Sequence, residues 1–268
     1  DARADRPTLS LKPKPAPQAP DKARRKPFRI GGLPAVSALF DRDPDRAEKL
    51  YFDERLKLAA APFCTRMAAA RKPFRLVPAE ELEKIAGSAM HGGIVVEAAP
   101  RPVLPFSLDQ ARGWAAAGHP LLILDGVSNP HNLGAIVRTA AFFGVERIII
   151  SDHPGQALPS EAAYRVAEGG FEHLDLYRAT GFAATLKALG QFYRTIGTAL
   201  GPFPALSDLS RQPGGKPVAV VMGNEEHGMP PDSQAACTDL VTIAGSGRVQ
   251  SLNVSATTAI LVFLMTRG

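Results

Sequence analysis

Residues 120–268 alternate short apolar or β-branched runs with helical segments, and this alternation constrains the fold more than any other feature of the chain. The runs are Leu121–Leu124, Arg147–Ile150, Leu174–Tyr177, Phe192–Gly197, Val218–Met222 and Leu240–Ile243. Runs that are apolar at consecutive positions suit strands buried on both faces, and intervening helices suit parallel connections. The expectation is an α/β domain on a parallel sheet covered on both sides. After the first run, Leu133, Ile136, Val137, Ala140 and Ala141 share one stripe at helical spacing, the pattern of a helix packed on a sheet. The final helix, about residues 252–266, is apolar nearly all round. Such a helix needs burial on every side, which points to an oligomer. No internal repeat is visible.

Residues 28–99 carry a similar alternation on a smaller scale. Helices are expected at Pro34–Phe40, Glu54–Ala70 and Pro78–Ala86, and strands at Lys49–Phe52, Phe74–Val77 and Gly93–Ala98. Leu56, Leu58 and Ala59 read as apolar positions of the second helix. Glu80 and Glu81 stand in the first turn of the third, where carboxylates suit the helix dipole. This spacing predicts a small α/β domain. Residues 100–119 contain Pro100, Pro102, Pro105 and Gly118 and read as a linker.

Residues 1–27 are rich in Pro, Lys and Arg, a composition with too little apolar surface to fold, and read as a disordered arm. Residues 1–26 hold eight Lys/Arg against three Asp, a surplus of five that equals the +5 net charge of the whole chain. A neutral body with a basic arm suits a polyanion partner, nucleic acid above all, or else a solvated tail.

Several classes are excluded. The two cysteines, Cys64 and Cys237, lie in no CxxC pair, which argues against a disulfide scaffold and a zinc site. The six histidines are scattered, with no metal-ligand spacing. No apolar run nears the ~18 residues needed to span a membrane, and the N-terminus lacks the apolar core of a signal peptide. The expected location is the cytoplasm, with no membrane partner. Gly245-x-Gly247 has Gln250 where a dinucleotide fingerprint needs a third glycine, and only eighteen residues follow it, too few for the ribose-binding acid.

Three polar loops follow apolar runs. In the first, Asp125-Gly126-Val127-Ser128-Asn129-Pro130 leads into the helix of Leu133, with Asn132 at its start, a favoured N-cap type. Arg138 follows Leu133 by five residues, about 140° off the apolar stripe at about 100° per residue, and is free to reach a ligand. In the second, Gly223-Asn224-Glu225-Glu226-His227-Gly228 follows Val218–Met222. Its glycines let backbone amides approach a ligand closely. The third, residues 244–250, opens the last helix at Ser251. Asn253 and Ser255 are poor helix formers in an apolar helix, because their side chains compete for backbone bonds; that misfit marks function. Taken singly, Asn132 and Ser251 also suit plain caps, Arg138 a surface charge, and the glycine loop a common turn.

Together Asn132-x5-Arg138, Gly223-x-Glu225-x-x-Gly228 and Ser251-Leu252-Asn253-Val254-Ser255 resemble, in order, the motifs of the SpoU (TrmH-like) family of RNA ribose 2′-O-methyltransferases, in the SPOUT superfamily. The resemblance covers residues 28–268, most specifically 121–140 and 217–262. It implies a C-terminal trefoil knot whose loops bind S-adenosyl-L-methionine in a bent form. It also implies a homodimer that completes the active site, and RNA, ribosomal or transfer, as substrate. Residues 28–99, ending in His91-Gly92-Gly93-Ile94-Val95, are similar to the family's small RNA-binding domain. By the same resemblance Arg138 binds the phosphate beside the target ribose and orients the 2′-hydroxyl. A guanidinium stays protonated up to about pH 12, so the RNA phosphate assists proton removal. Asn132 positions Arg138, and Glu225, Ser251 and Asn253 complete the polar site. Gly223, Ile243, Leu252 and Asn253 hold the cofactor. The sequence departs from the family pattern at Ala244-Gly245, where Pro-Met is usual, and at Gly92, where Gln is usual. A glycine loosens the first of these loops where proline would stiffen it. The alternative expectation is a non-catalytic RNA-binding or ribosome-assembly factor that retains the fold.

Overall fold

The computed structural model describes residues 26–207, 209 and 215–267. The expected basic arm, apart from its last two residues, lies outside the described residues.

The N-terminal part comprises β1 (Arg29–Gly31), α1 (Leu33–Arg42), β2 (Ala47–Phe52), α2 (Lys57–Ala69), β3 (Phe74–Leu76), α3 (Ala79–Ala86) and β4 (Ile94–Ala98). Its sheet has the order β1-β4-β2-β3, with β2 and β3 parallel and the other pairs antiparallel. The strand β1 was not expected, because only Ile30 of its three residues is fully buried and so short a run leaves no period to read. The second helix also differs from expectation. Leu58 is 90% exposed and Ala59 faces solvent, while Ala60 and Met67 are buried. Phe63 stacks on Phe40 with ring centroids 4.7 Å apart.

The larger part comprises β5 (Leu104–Pro105), α4 (Leu108–Ala116), β6 (Leu121–Asp125), α5 (Pro130–Phe142), β7 (Arg147–Ile150), α6 (Glu161–Ala167), β8 (Asp175–Arg178), α7 (Phe182–Leu189), β9 (Arg194–Thr198), β10 (Val218–Gly223), α8 (Pro231–Ala236), β11 (Asp239–Val241) and α9 (Val254–Met265). The seven strands lie in the order β11-β9-β10-β6-β7-β8-β5, and every neighbouring pair is parallel. Alternate residues serve opposite faces, as the strand period requires. Leu122, Leu124, Ile148, Ile150, Val220 and Met222 join the core under α5, α6 and α9, whereas Leu121, Ile123, Ile149, Ala219 and Val221 join the core under α4, α7 and α8.

The segment read as a linker is structured. In it, β5 pairs with β8, and α4 starts on a capping box in which the Ser107 hydroxyl accepts from the Gln110 N–H. Trp114 of α4 packs edge-on against Tyr177 at 5.0 Å. Prolines there mark the ends of short elements rather than a chain without structure.

The two parts share one core. Ile30, Leu39 and Phe40 belong to the same buried cluster as Val137, Ala163 and Tyr164. Phe28 meets Tyr164 edge-on at 5.3 Å, and Tyr164 stacks on Phe171 at 4.3 Å. Arg46 places its fork on Glu172, with nitrogen–oxygen distances of 2.6 and 3.1 Å, and Glu172 is 4% exposed. A buried carboxylate so paired is costly to strip of its partner, by about 3–5 kcal/mol, which fixes the small domain against α6 and the segment after it.

The expected all-round burial of α9 is met on one side only. Val254, Thr258, Leu261, Val262 and Met265 are buried, whereas Ile260 and Phe263 are 38% and 39% exposed in the single chain.

Candidate active site

Strands β6 and β10 are neighbours at the centre of the sheet, and their last pair is Asp125 opposite Gly223. The connections from β6 lead one way, to β7 and β8, while β9 and β11 lie on the other side of β10. Ligands of open parallel sheets bind in the crevice beyond the strand carboxyl ends at such a switch point. All three polar loops gather there.

Glu225 is the hub. Its Oε2 accepts from the Ser128 N–H at 3.0 Å and the Ser128 hydroxyl at 3.1 Å. Its Oε1 accepts from the Asn129 N–H and from Asn132 Nδ2, both at 3.0 Å. Burial alone would push this carboxyl up, but the hydrogen bonds from Asn132, Ser128 and Asn129 outweigh it and hold the group below the usual carboxylate range. Glu225 is therefore ionised at neutral pH and serves as an acceptor that ties loops together.

The loop after β10 is closed on itself. The Asn224 N–H donates to the Gly228 carbonyl at 3.0 Å, and the Gly228 N–H returns to Asn224 at 2.9 Å. Asn224 Oδ1 accepts from the N–H groups of Glu226 and His227, and Nδ2 donates to the Gly126 carbonyl at 2.8 Å. A Cβ at Gly223 would lie 2.3 Å from the Met229 nitrogen and 2.4 Å from the Gly228 carbonyl carbon, so only glycine fits.

Two assignments read from residue type are corrected. The N-cap of α5 is Asn129, whose side chain accepts from the His131 N–H at 2.8 Å. Asn132 stands inside the first turn, which frees its side chain for Glu225 and for Asn253, whose Nδ2 donates to Asn132 Oδ1 at 3.3 Å. Asn253, in turn, is outside the last helix. It caps α9 by accepting from the Ser255 N–H at 2.8 Å and the Ser255 hydroxyl at 2.7 Å. Its side chain thus ends one helix and touches the first turn of another.

Ser251 precedes that cap and makes no side-chain hydrogen bond to the described residues. Leu252 is about half exposed, and Ile243 packs against the edge of the core. Between them the backbone is open. Among the described residues, the N–H groups of 243–252 make one hydrogen bond, Arg248 to the Ser246 hydroxyl at 3.4 Å. Added Cβ atoms at Gly245 and Gly247 would meet nothing within 4 Å. A stretch of free backbone donors and acceptors flanked by Ile243 and Leu252 fits an adenosine-bearing ligand, whose ring wants an apolar surface edged by backbone groups.

Arg138 does not join this cluster. Its Nη2 lies 3.1 Å from Glu168 Oε2, and both side chains are about half exposed. The expectation that Asn132 positions Arg138 is not met within the chain, because Asn132 is spent on Glu225 and Asn253. His91, in the small domain, is buried and accepts from the Gly93 N–H at 3.0 Å, so it shapes its own turn.

Sequence reasoning missed four supporting groups. Ser128, Asn129 and Asn224 were read only as turn residues. Gln156 carried no sequence signal, yet its buried Oε1 accepts from the N–H groups of Gly126 and Val127 at 2.9 and 3.0 Å and pins the first loop. Asp125 is also buried, and its Oδ2 has no hydrogen-bond partner among the described residues. Burial, then the charges of Asp125 and Asp239, push the Cys237 thiol up to about 12. The described residues contain no group of His, Cys, Asp and Glu able to hold a metal, and no helix long and apolar enough to cross a membrane.

Comparison with known proteins gives the site a family. Residues 119–263 match the SpoU rRNA Methylase family, and residues 29–104 match the RNA 2′-O ribose methyltransferase substrate-binding family. The 23S rRNA (guanosine-2′-O-)-methyltransferase RlmB of Acinetobacter baylyi is 34% identical over 249 residues, covering 89% of this chain and 96% of that protein. The uncharacterized tRNA/rRNA methyltransferase YfiF of Escherichia coli O157:H7 is 31% identical, over 97% of this chain and 74% of its own. An rRNA methyltransferase from Sinorhizobium meliloti shares the fold, with a TM-score of 0.69 at 22% identity, over 90% of this chain and 86% of that one. With the first match spanning more than half of its length, the chain belongs to the SpoU rRNA methylase family.

Proposed function

We propose that the chain transfers the methyl group of S-adenosyl-L-methionine to the ribose 2′-hydroxyl of a nucleotide in RNA, ribosomal RNA first and transfer RNA second. The observation that carries this reading is the hydrogen-bonded chain Glu225–Asn132–Asn253, which joins all three polar loops at the carboxyl ends of β6, β10 and β11. The cofactor, when bound, supplies an electrophilic sulfonium methyl. Gly223, Ile243, Leu252 and Asn253 hold it through backbone groups of the second and third loops. Ser251 and Asn253 orient the nucleotide on loops that Asn132 and Glu225 hold in place, and Arg138 binds the phosphate next to the target ribose. Methyl transfer is an in-line displacement, so holding oxygen and methyl in line and excluding water supply most of the rate. A guanidinium is a poor base, and the RNA phosphate that Arg138 holds takes part in proton removal. Ribosomal RNA is favoured because the RlmB relatives, at 32–34% identity, act on guanosine of 23S rRNA by name.

The active form in this reading is a homodimer in the cytoplasm. Its support is the apolar surface left open on α5 and α9, where Phe142 is 81% exposed and Phe143 contacts Phe263 at 5.9 Å. The location of Arg138, paired outside the Glu225 cluster, also suits a site completed by a second copy. The reading includes the trefoil knot: residues 204–206 bond to Thr242, so the final segment runs beside the connection between β9 and β10.

The test is Arg138→Ala. The variant is expected to lose methyl transfer to RNA while binding S-adenosyl-L-methionine as the wild type does by calorimetry. Wild-type transfer would remove Arg138 from the site, and absence of cofactor binding in the wild-type chain would favour a non-catalytic RNA-binding role.

A further inference from the structure

We propose that Glu168 is a positioning residue for Arg138, and that the segment from Glu168 to Glu172 links the docking of the small domain to that arginine. The inference rests on the role of Arg138 proposed above.

Glu168 closes α6 with φ 46° and ψ 46°, a left-handed conformation. Helices commonly end this way, but on glycine or asparagine, because a larger side chain is disfavoured there. Strained backbone of this kind persists where the surroundings impose it and gathers at functional sites. What the strain secures here is the ion pair, Glu168 Oε2 to Arg138 Nη2 at 3.1 Å. A guanidinium has five N–H donors in a fixed fork. Glu168 engages one nitrogen and leaves the others for a phosphate. It also restrains a long side chain whose ordering would otherwise be charged against RNA binding.

The next residues connect this pair to the small domain. Gly169 has φ 92°, and a Cβ there would lie 2.8 Å from the Ala38 Cβ and 3.0 Å from the Pro34 carbonyl oxygen, both on α1. A Cβ at Gly170 would lie 3.1 Å from the Val137 carbonyl oxygen and 3.2 Å from the Arg138 nitrogen and Cα. The segment is therefore wedged between α1 and the backbone of Arg138, with no room for a side chain on either side. Glu172 anchors its far end through the fork of Arg46. Packed interiors transmit displacement, so α1 and Arg138 move together or not at all. RNA held by the small domain is thereby presented to an arginine whose place that domain has set.

The experiment compares full-length wild type, Glu168→Gly, Glu168→Gln and Arg138→Ala, with ribosomal RNA from cells lacking the gene as substrate. Glycine relaxes the left-handed backbone, so Glu168→Gly is expected to keep or raise Tm. Its kcat should fall about tenfold or more, since small misplacements cost that much, while the Kd for S-adenosyl-L-methionine stays unchanged. Glu168→Gln retains an acceptor and should recover part of the rate. A Glu168→Gly enzyme with wild-type kcat overturns the proposal. So does a loss of kcat matched by losses of Tm and cofactor affinity, which would assign Glu168 to folding alone. If Arg138→Ala is itself fully active, the failure lies in the role given to the arginine.

Discussion

The second and third loops both lie at the carboxyl ends of the sheet, joined through Asn132, yet they are built in opposite ways. The loop after β10 is saturated: Glu225 takes four hydrogen bonds from the first loop and the start of α5, Asn224 takes or gives five more, and Gly223 lies against its own loop with no space for a methyl group. The stretch from Ile243 to Leu252 has one internal hydrogen bond, and its glycines face open space. A saturated loop has its geometry before any ligand arrives, and so loses little entropy on binding. An open one must be ordered by what binds it, at a cost to affinity. In the proposed reading, half of this site is thus prepared in advance and half is completed on binding. Asn253 is the joint between the halves, bonded to Asn132 on the prepared side and capping α9 on the other.

The difference can be broken most severely at Gly223. A Cβ placed 2.3 Å from a backbone nitrogen forces the second loop to move, so Gly223→Ala should cost about 3 kcal/mol, at the upper end for overpacking. Methyl transfer should drop with it. Chemical denaturation reads the first and an RNA methylation assay the second; a wild-type midpoint would show that the loop is softer than its contacts indicate. Asn253→Ala comes next. It removes a helix cap worth about 1 kcal/mol and the bond to Asn132, so stability should fall modestly while transfer falls about tenfold. Equal, small losses in both would reduce Asn253 to a cap.

Smaller effects sharpen the contrast. At Gly245 the backbone is not left-handed and the space is open, so Gly245→Ala should leave Tm nearly unchanged. Fewer free conformations remain to be lost, by about 0.4–1 kcal/mol, and S-adenosyl-L-methionine should bind two- to fivefold tighter by calorimetry. Unchanged affinity would show that this loop is not ordered by the cofactor. The smallest effect is that of pH on the prepared half. The Glu225 carboxyl is held below its ordinary value in the folded chain, so it contributes stability that is full above about pH 4.3, the unfolded value. That contribution is lost as pH falls through the lower, folded value. Wild type should therefore exceed Glu225→Gln in stability at pH 6, with the gap closing below pH 4. A gap that is constant with pH would contradict the hydrogen-bonded carboxylate.

The contrast also explains what the sequence could and could not show. Strands such as Leu121–Asp125 and Val218–Gly223 were legible because consecutive apolar residues have few alternatives to a covered parallel sheet. Glu225 and Asn253 were legible as types at motif spacing, but their partners were not, since Ser128, Asn129 and Asn132 lie more than ninety residues from Glu225. The Asn253 cap looked like a misfit within a helix because helix starts cannot be fixed to the residue by composition. The open face of α9 was invisible for the opposite reason. An apolar helix announces that it needs cover, but not which side the chain itself provides. The docking of α1 on Gly169 and the strand inside 100–119 depend on contacts between distant segments that no local pattern encodes, whereas the helix there begins on the local Ser107-x-x-Gln110 capping box, which the surrounding prolines obscured.

The most direct test of the proposed activity is a map of ribose 2′-O-methylation across cellular RNA, with and without the gene. The account predicts loss of methylation at a ribosomal RNA site, restored by the wild-type chain and not by Arg138→Ala. An unchanged map in cells that express the protein would contradict it.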